Sequence, residues 1–213
     1  MAWRIGAMCV ATVLLWQAGA AVAEGWRMAP LAAYVHATWW GRGVPPDLAA
    51  VLAVPPSRPD GRAWSAYAQA ALAVAEDRGN VAAPALDLDR AEVATRRALG
   101  LGPAQAATWA RLALIAVNRG NADLAAAALG RSFVLAPNGS ALAWPRVKLG
   151  LYLWDGLGAN TRASVNRDLV RVWQQPPSEA LPYPQKALNR YAALLGRTDL
   201  LAALMAQAGG DAG

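Results

Sequence analysis

The chain has 213 residues, enough to bury one substantial core but not two large independent ones. Hydrophobic residues make up 56% and charged residues 16%, which together with ten Trp excludes an intrinsically disordered chain. The net charge of +6 comes from eighteen Arg and two Lys, scattered with no run longer than Arg96-Arg97. A nucleic-acid-binding surface gathers its charge on one face and interleaves aromatics, so this dispersed pattern reads as solvated helix exteriors.

In chain order, Met1 to Arg4 form a short basic start, Ile5 to Trp16 run without a charge, and small residues end at Ala21-Val22-Ala23 before Glu24. This is the three-part layout of a secretory signal. The rival reading keeps the segment as an anchor, because Ile5 to Ala23 are nineteen uncharged residues followed by the interfacial types Trp26 and Arg27. Residues 1–23 are therefore expected to be a signal peptide or a membrane anchor. In both cases the remainder is extracytoplasmic: periplasmic, or tethered to the cytoplasmic membrane and facing the periplasm. Cys9 follows Met8 inside the apolar run, too early for a lipoprotein signal. Cleavage would leave no thiol in the mature chain, which excludes disulfides, thiolate metal sites and Cys nucleophiles there.

Residues 24–60 read as an N-terminal helical segment, with helices at about 26–40 and 46–53, and a linker marked by Pro45-Pro46 and Pro55-Pro56. Trp39 and Trp40 follow the apolar segment and are candidate interfacial residues, for a bilayer surface or a partner. From residue 61 to 213 helical periodicity alternates with short Gly, Pro and Asn breaks, and no stretch sustains the two-residue alternation of a strand. Helices are expected at about 61–78, 89–99, 104–119, 122–135, 140–154, 160–174, 184–195 and 198–207. Asp89 with Glu92 has capping-box spacing, and Thr198 with Asp199 would cap the last helix. On the helix from Asn160, Val165, Leu169, Val172 and Trp173 share one face. The fold class is all-α.

A repeat organises this region. Pro103 and Pro137 lie thirty-four residues apart, each closing a similar phrase, Ala98-Leu99-Gly100-Leu101-Gly102-Pro103 and Ser132-Phe133-Val134-Leu135-Ala136-Pro137. Trp109, Leu112 and Ala113 on one helix, Gly120 at the turn, and Ala125 and Leu129 on the next complete a unit that resembles the tetratricopeptide repeat, whose period is 34 residues. Trp109, Leu112, Ala125 and Leu129 are expected to be buried together. Flanking units are more degenerate. One would open at Trp64 and Tyr67 and close through Ala91, Ala98, Leu101 and Pro103 after an insertion at Asn80 to Leu88. Another would open at Trp144, Val147 and Leu151 and close at Pro176 or Pro177. Leu188, Tyr191, Ala192 and Leu195 would start a fourth. The resemblance implies stacked antiparallel helical hairpins, an α-solenoid, over residues 61–213; an irregular bundle is the alternative.

Residues able to carry chemistry are few. His36 is the only histidine and lies in an apolar helix beside Trp39-Trp40, which reads as structural or interfacial. Asp87 and Asp89 form an Asp-x-Asp pair, but no strand precedes them and capping accounts for Asp89. Asn138-Gly139-Ser140 matches a glycosylation sequon and equally a helix stop, with Ser140 able to cap the next helix. Gly100-Leu101-Gly102 lacks the third glycine and preceding strand of a phosphate loop. No catalytic, cofactor or metal residue is nominated, and no cofactor is implied.

In the tetratricopeptide family the first helices line a concave groove that receives peptides or partner helices. Carried onto this unit, Ala107, Ala110, Leu114, Val117 and Asn118 would face the groove. Family members that clamp a C-terminal carboxylate use Lys and Asn where this chain has Ala110 and Leu114. The resemblance implies instead an amphipathic partner helix, a membrane protein, or the chain's own N-terminal helix. Two functions stay open: a non-catalytic interaction scaffold at the outer face of the cytoplasmic membrane, as in envelope or polysaccharide assembly, and an exported sugar-polymer-binding protein or enzyme with acids and Trp in the groove. The signal reading is checked by intact-mass analysis of protein from native cells. Cleavage after Ala23 gives a chain starting at Glu24; an unprocessed product that needs detergent to stay in solution gives the anchor.

Overall fold

The computed structural model describes residues 52–57, 59–77, 85–178, 181 and 183–210. The expectations for residues 1–23, for the helix at 26–40, for all but the last two residues of the helix at 46–53, and for His36, Trp39 and Trp40 lie outside these. Among the described residues the protein is all-helical, with eight α-helices, two single 3-10 turns and no strand. The helices are α1 (Gly61–Asp77), α2 (Ala85–Leu101), α3 (Ala106–Asn118), α4 (Ala122–Leu135), α5 (Ala143–Leu153), α6 (Ala159–Gln174), α7 (Pro184–Leu194) and α8 (Thr198–Gly210). No helix among them is long and apolar enough to cross a membrane.

The α3–α4 pair shows how sequence sets local structure. Helix α3 is an Ala- and Leu-rich run without Gly or Pro that stops where Gly120 adopts φ +70°, a left-handed turn that costs a Gly no Cβ clash. The Asn121 side chain then accepts the Leu124 backbone N–H at 3.0 Å and so caps α4. With only three residues between them the helices must reverse direction, and small residues let them approach: Ala113, Ala116, Ala125 and Ala128 are buried beside Leu112 and Leu129. Trp109 is half-buried against the same core rather than enclosed by it, and its indole Nε1–H donates to the Pro103 carbonyl at 2.7 Å. That bond explains its position, because an indole with a polar edge settles where the edge can be satisfied.

Neighbouring helices pair in sequence, α1 with α2, α3 with α4 and α5 with α6, and each pair touches the next. Three cores result. Trp64 and Tyr67 fill the first, between α1 and α2; Leu112, Leu129 and Phe133 fill the second; Val147, Leu151, Leu169 and Leu188 fill the third. Fully burying each Leu contributes about 1.5 to 3 kcal/mol. The Tyr67 hydroxyl reaches back to the Leu52 carbonyl at 2.8 Å, tying the end of the linker to the first core.

Two sequence expectations change in detail. Asp89 does not cap its helix, because α2 begins at Ala85 and places Asp89 one turn inside, where its exposed carboxylate pairs with Arg119 on the α3–α4 turn. The helix expected over 140–154 is broken into the 3-10 turn Ser140–Leu142, α5, and the 3-10 turn Trp154–Gly156. Pro145 falls in the first turn of α5, where its missing N–H leaves no intrahelical bond unmade. The Ser140 side chain makes no capping bond.

Helices α5 and α6 meet at Gly150. A Cβ there would press on both γ carbons of Val165, 2.5 Å from Cγ1, and Val165 is itself fully buried with nowhere to move. Gly150→Ala adds about 1 kcal/mol of helix propensity, but the overlap, worth about 1 to 3 kcal/mol, outweighs it. Urea unfolding should therefore show Gly150→Ala destabilised, and Val165→Ala in the same chain should relieve the strain, so that the pair costs less than the two single losses added together.

Candidate functional site

The residues expected to line a groove are spread between core and surface. On α3, Ala107 is half-buried, Ala110 is buried, and Asn118 is exposed with its amide donating to the Leu114 carbonyl at 3.1 Å. Leu114 is half-buried and packs against the first and second cores, and Val117 packs on the second. Much of their apolar surface is thus already engaged within the chain.

The same stretch of α3 carries a polar network that the sequence reading passed over. The hydroxyls of Ser65 on α1 and Thr108 on α3 lie 2.9 Å apart, and Thr108 donates to the Gln105 side chain at 3.0 Å. Arg111 donates through Nη1 to Ser65 Oγ at 3.1 Å and through Nη2 to Gln69 Oε1 at 3.0 Å. Arg111 stands one turn from Ala107 and Leu114 along the helix. Among the described residues its partners are neutral, and loss of water pushes its pKa down to about 10, so it remains a cation at neutral pH without a facing carboxylate. The sequence signal was present: Ser65 and Gln69 recur at i and i+4 on α1, and Thr108 and Arg111 at i and i+3 on α3, polar positions on otherwise apolar helices.

A second polar cluster joins four helices. Arg146 on α5 is entirely buried. Its Nε donates to Ser132 Oγ at 3.0 Å, Nη2 to the Ser132 carbonyl at 2.7 Å and Nη1 to the Ala136 carbonyl at 2.8 Å, so it is a second donor for carbonyls that also accept the Ala136 and Gly139 backbone N–H groups. The Ser132 hydroxyl passes the chain on to the Ala106 carbonyl of α3 at 2.7 Å. The guanidinium stacks 4.8 Å from the centre of Phe133. On α6, the buried Asp168 lies 3.8 Å from Arg146 and receives Arg171 Nη1 at 2.5 Å. Burial raises the pKa of the Asp168 carboxyl, while Arg146, Arg171 and Arg167 draw it back down.

Carboxylates on one face of α2 form a third feature. Asp89 and Glu92 line a cleft of about 360 Å³ with Arg96, Arg119 and Asn121. Both acids are spoken for: Arg119 pairs with Asp89 and, at 3.4 Å, with Glu92, which also holds Arg96 at 2.9 Å. No aromatic lines the cleft. The side chain of Asp87 lies outside the described residues, and among those described no three His, Cys, Asp or Glu side chains gather as a metal site. The described Trp residues are also engaged. Trp64 is buried, Trp109 and Trp173 pack on cores, and Arg97, Lys148 and Arg162 sit over Trp64, Trp144 and Trp154 at 4.7, 5.8 and 5.7 Å.

Comparison with protein-family models, with curated proteins and with solved structures finds no match. The chain's own residues must therefore carry the functional reading.

Proposed function

We propose that this chain is a non-catalytic scaffold whose helical pairs stack as a tetratricopeptide-like solenoid and bind another protein at the periplasmic face of the cytoplasmic membrane. The observation that carries the reading is Arg111, a half-buried cation on α3 whose side-chain partners among the described residues, Ser65 and Gln69 on α1, are neutral. A partner helix laid along α1 and α3 would meet Ala107, Leu114, Val117 and Asn118 with its apolar side and Arg111 with an acidic one. The contact succession α1, α3, α5 supports the solenoid, since these are the first helices of the three pairs. Export rests on residues 1–23, and the resemblance suggests envelope or polysaccharide assembly as the setting. The sugar-polymer reading needs free acids and open aromatic faces together, and neither the α2 cleft nor the described Trp residues supply them.

Ala110 is unsuited to a binding test because a charge there would enter the core. Ala107→Glu with Asn118→Glu, and separately Arg111→Gln, place the change on the accessible part of the face. Each variant should co-purify its partner from native membranes about tenfold less well or worse, at near-unchanged helicity. Undiminished capture contradicts the scaffold reading. Cleavage of an envelope polysaccharide by the purified protein, lost with Asp89→Asn or Glu92→Gln, would put the enzyme in its place.

A further inference from the structure

The Arg146 cluster is unbalanced. Arg146 and Arg171 both lie against Asp168, so two guanidiniums share one carboxylate, and Arg167, which precedes it on α6, adds a third positive charge nearby. One cation is consumed in the core, where Arg146 is sealed from water. The excess opens onto a groove of about 740 Å³ between α6 and the Ser140–Leu142 turn. Arg167, Arg171, Ser140, Gln174 and Gln175 line it with Val170 and Pro176, and no acid is among the lining residues.

The groups facing this groove are donors in waiting. Arg171 is fixed on its inner side by Asp168, which leaves the rest of its fork pointing outward, and Arg167 Nη2 is steadied by Ser164 Oγ at 2.9 Å. The two arginines stand one helical turn apart on α6, the spacing at which side chains converge on one ligand. Among the described residues Ser140, Gln174 and Gln175 make no side-chain hydrogen bond. Two guanidiniums, two amides and a hydroxyl together match a tetrahedral oxyanion with several acceptor oxygens better than a single carboxylate, and Arg forks suit phosphate geometry.

We propose that this groove is a phosphate-binding site, formed by Arg167 and Arg171 with Ser140, Gln174 and Gln175, for a phosphomonoester or phosphodiester group. The group can arrive on a soluble molecule or on a lipid headgroup. This site is separate from the α1–α3 face and does not depend on the scaffold reading.

Titration of the full chain with inorganic phosphate at low ionic strength, followed by calorimetry, tests the site, with Arg167→Gln as the probe variant and Arg190→Gln as a charge-matched control on the exposed side of α7. Arg167→Gln leaves the Arg146–Asp168–Arg171 contacts in place, so the fold should persist. A parallel arm measures sedimentation with vesicles of phosphatidylglycerol and of phosphatidylcholine; the N-terminal segment is common to all variants and cancels in the comparison. The expected result is saturable binding that Arg167→Gln weakens about tenfold or more and Arg190→Gln leaves unchanged. Saturable binding of free phosphate identifies a soluble ligand, and a loss seen only on phosphatidylglycerol vesicles identifies a headgroup. Equal losses for the two variants would show diffuse attraction to net positive charge and overturn the site, as would no dependence on Arg167 in either arm.

Discussion

A guanidinium cut off from water has to replace its hydration with fixed acceptors, and the positions of those acceptors then become constraints on the fold. Arg146 meets this requirement with two carbonyls at the end of α4, a hydroxyl on α4 and a carboxylate on α6. Through Ser132 the same network reaches the first turn of α3. Apolar cores hold helices together without specifying their register, because Leu and Ala surfaces tolerate sliding and repacking. Directional bonds from one planar side chain do specify it. The α3–α4 pair and the α5–α6 pair are therefore set against each other by Arg146, and packing at Gly150 and Val165 fills in around that setting.

The ion pair itself is not the main source of that constraint. At 3.8 Å the Arg146–Asp168 contact is loose, and Asp168 Oδ2 accepts no hydrogen bond, so desolvation of both groups offsets much of their attraction. The close bonds run to backbone carbonyls, to which Arg146 is a second donor beside the Ala136 and Gly139 backbone N–H groups. Asp168 instead mediates between core and surface: it faces Arg146 inside and holds Arg171 at the rim of the α6 groove. The Asp155–Arg197 pair, bonded at 2.6 and 3.2 Å, links the turn after α5 to the turn before α8, but Asp155 is exposed and water screens it. Its depressed carboxyl pKa, caused mainly by the Arg197 hydrogen bond, means that its contribution is present above the unfolded-state pKa and is lost as pH falls through the folded-state value.

Helix positions were legible from the sequence because they depend on local signals. The α4 span Ala122–Leu135 and the Gly120 turn follow from an apolar period, a left-handed Gly and an Asn cap, all within a few residues. The α2 start was misplaced because Asp89 has the same chemistry as a cap and as an ion-pair partner, and Arg119, which decides between them, is thirty residues away. Polar clusters were the least legible part. Arg111 and Arg146 look alike in the sequence, as single arginines on Ala- and Leu-rich helices, yet one lies half-buried among neutral donors and acceptors and the other is sealed in the core. What separates them is which helix packs over each, and periodicity does not carry that information.

Hydrogen exchange of Arg146→Met, followed segment by segment, is the most direct test of the role given to Arg146. The substitution removes every directional bond from α5 to the end of α4 and takes the inner cation away from the buried Asp168, while the Ser132 and Ala136 carbonyls keep their backbone donors. The amides of α5 and α6 and the last turn of α4 should then exchange faster, while α1 and α2, which rest on a different core, keep their protection. Unchanged protection across residues 132–174, or an equal loss throughout the chain, would contradict the claim that this one side chain sets the second helical pair against the third.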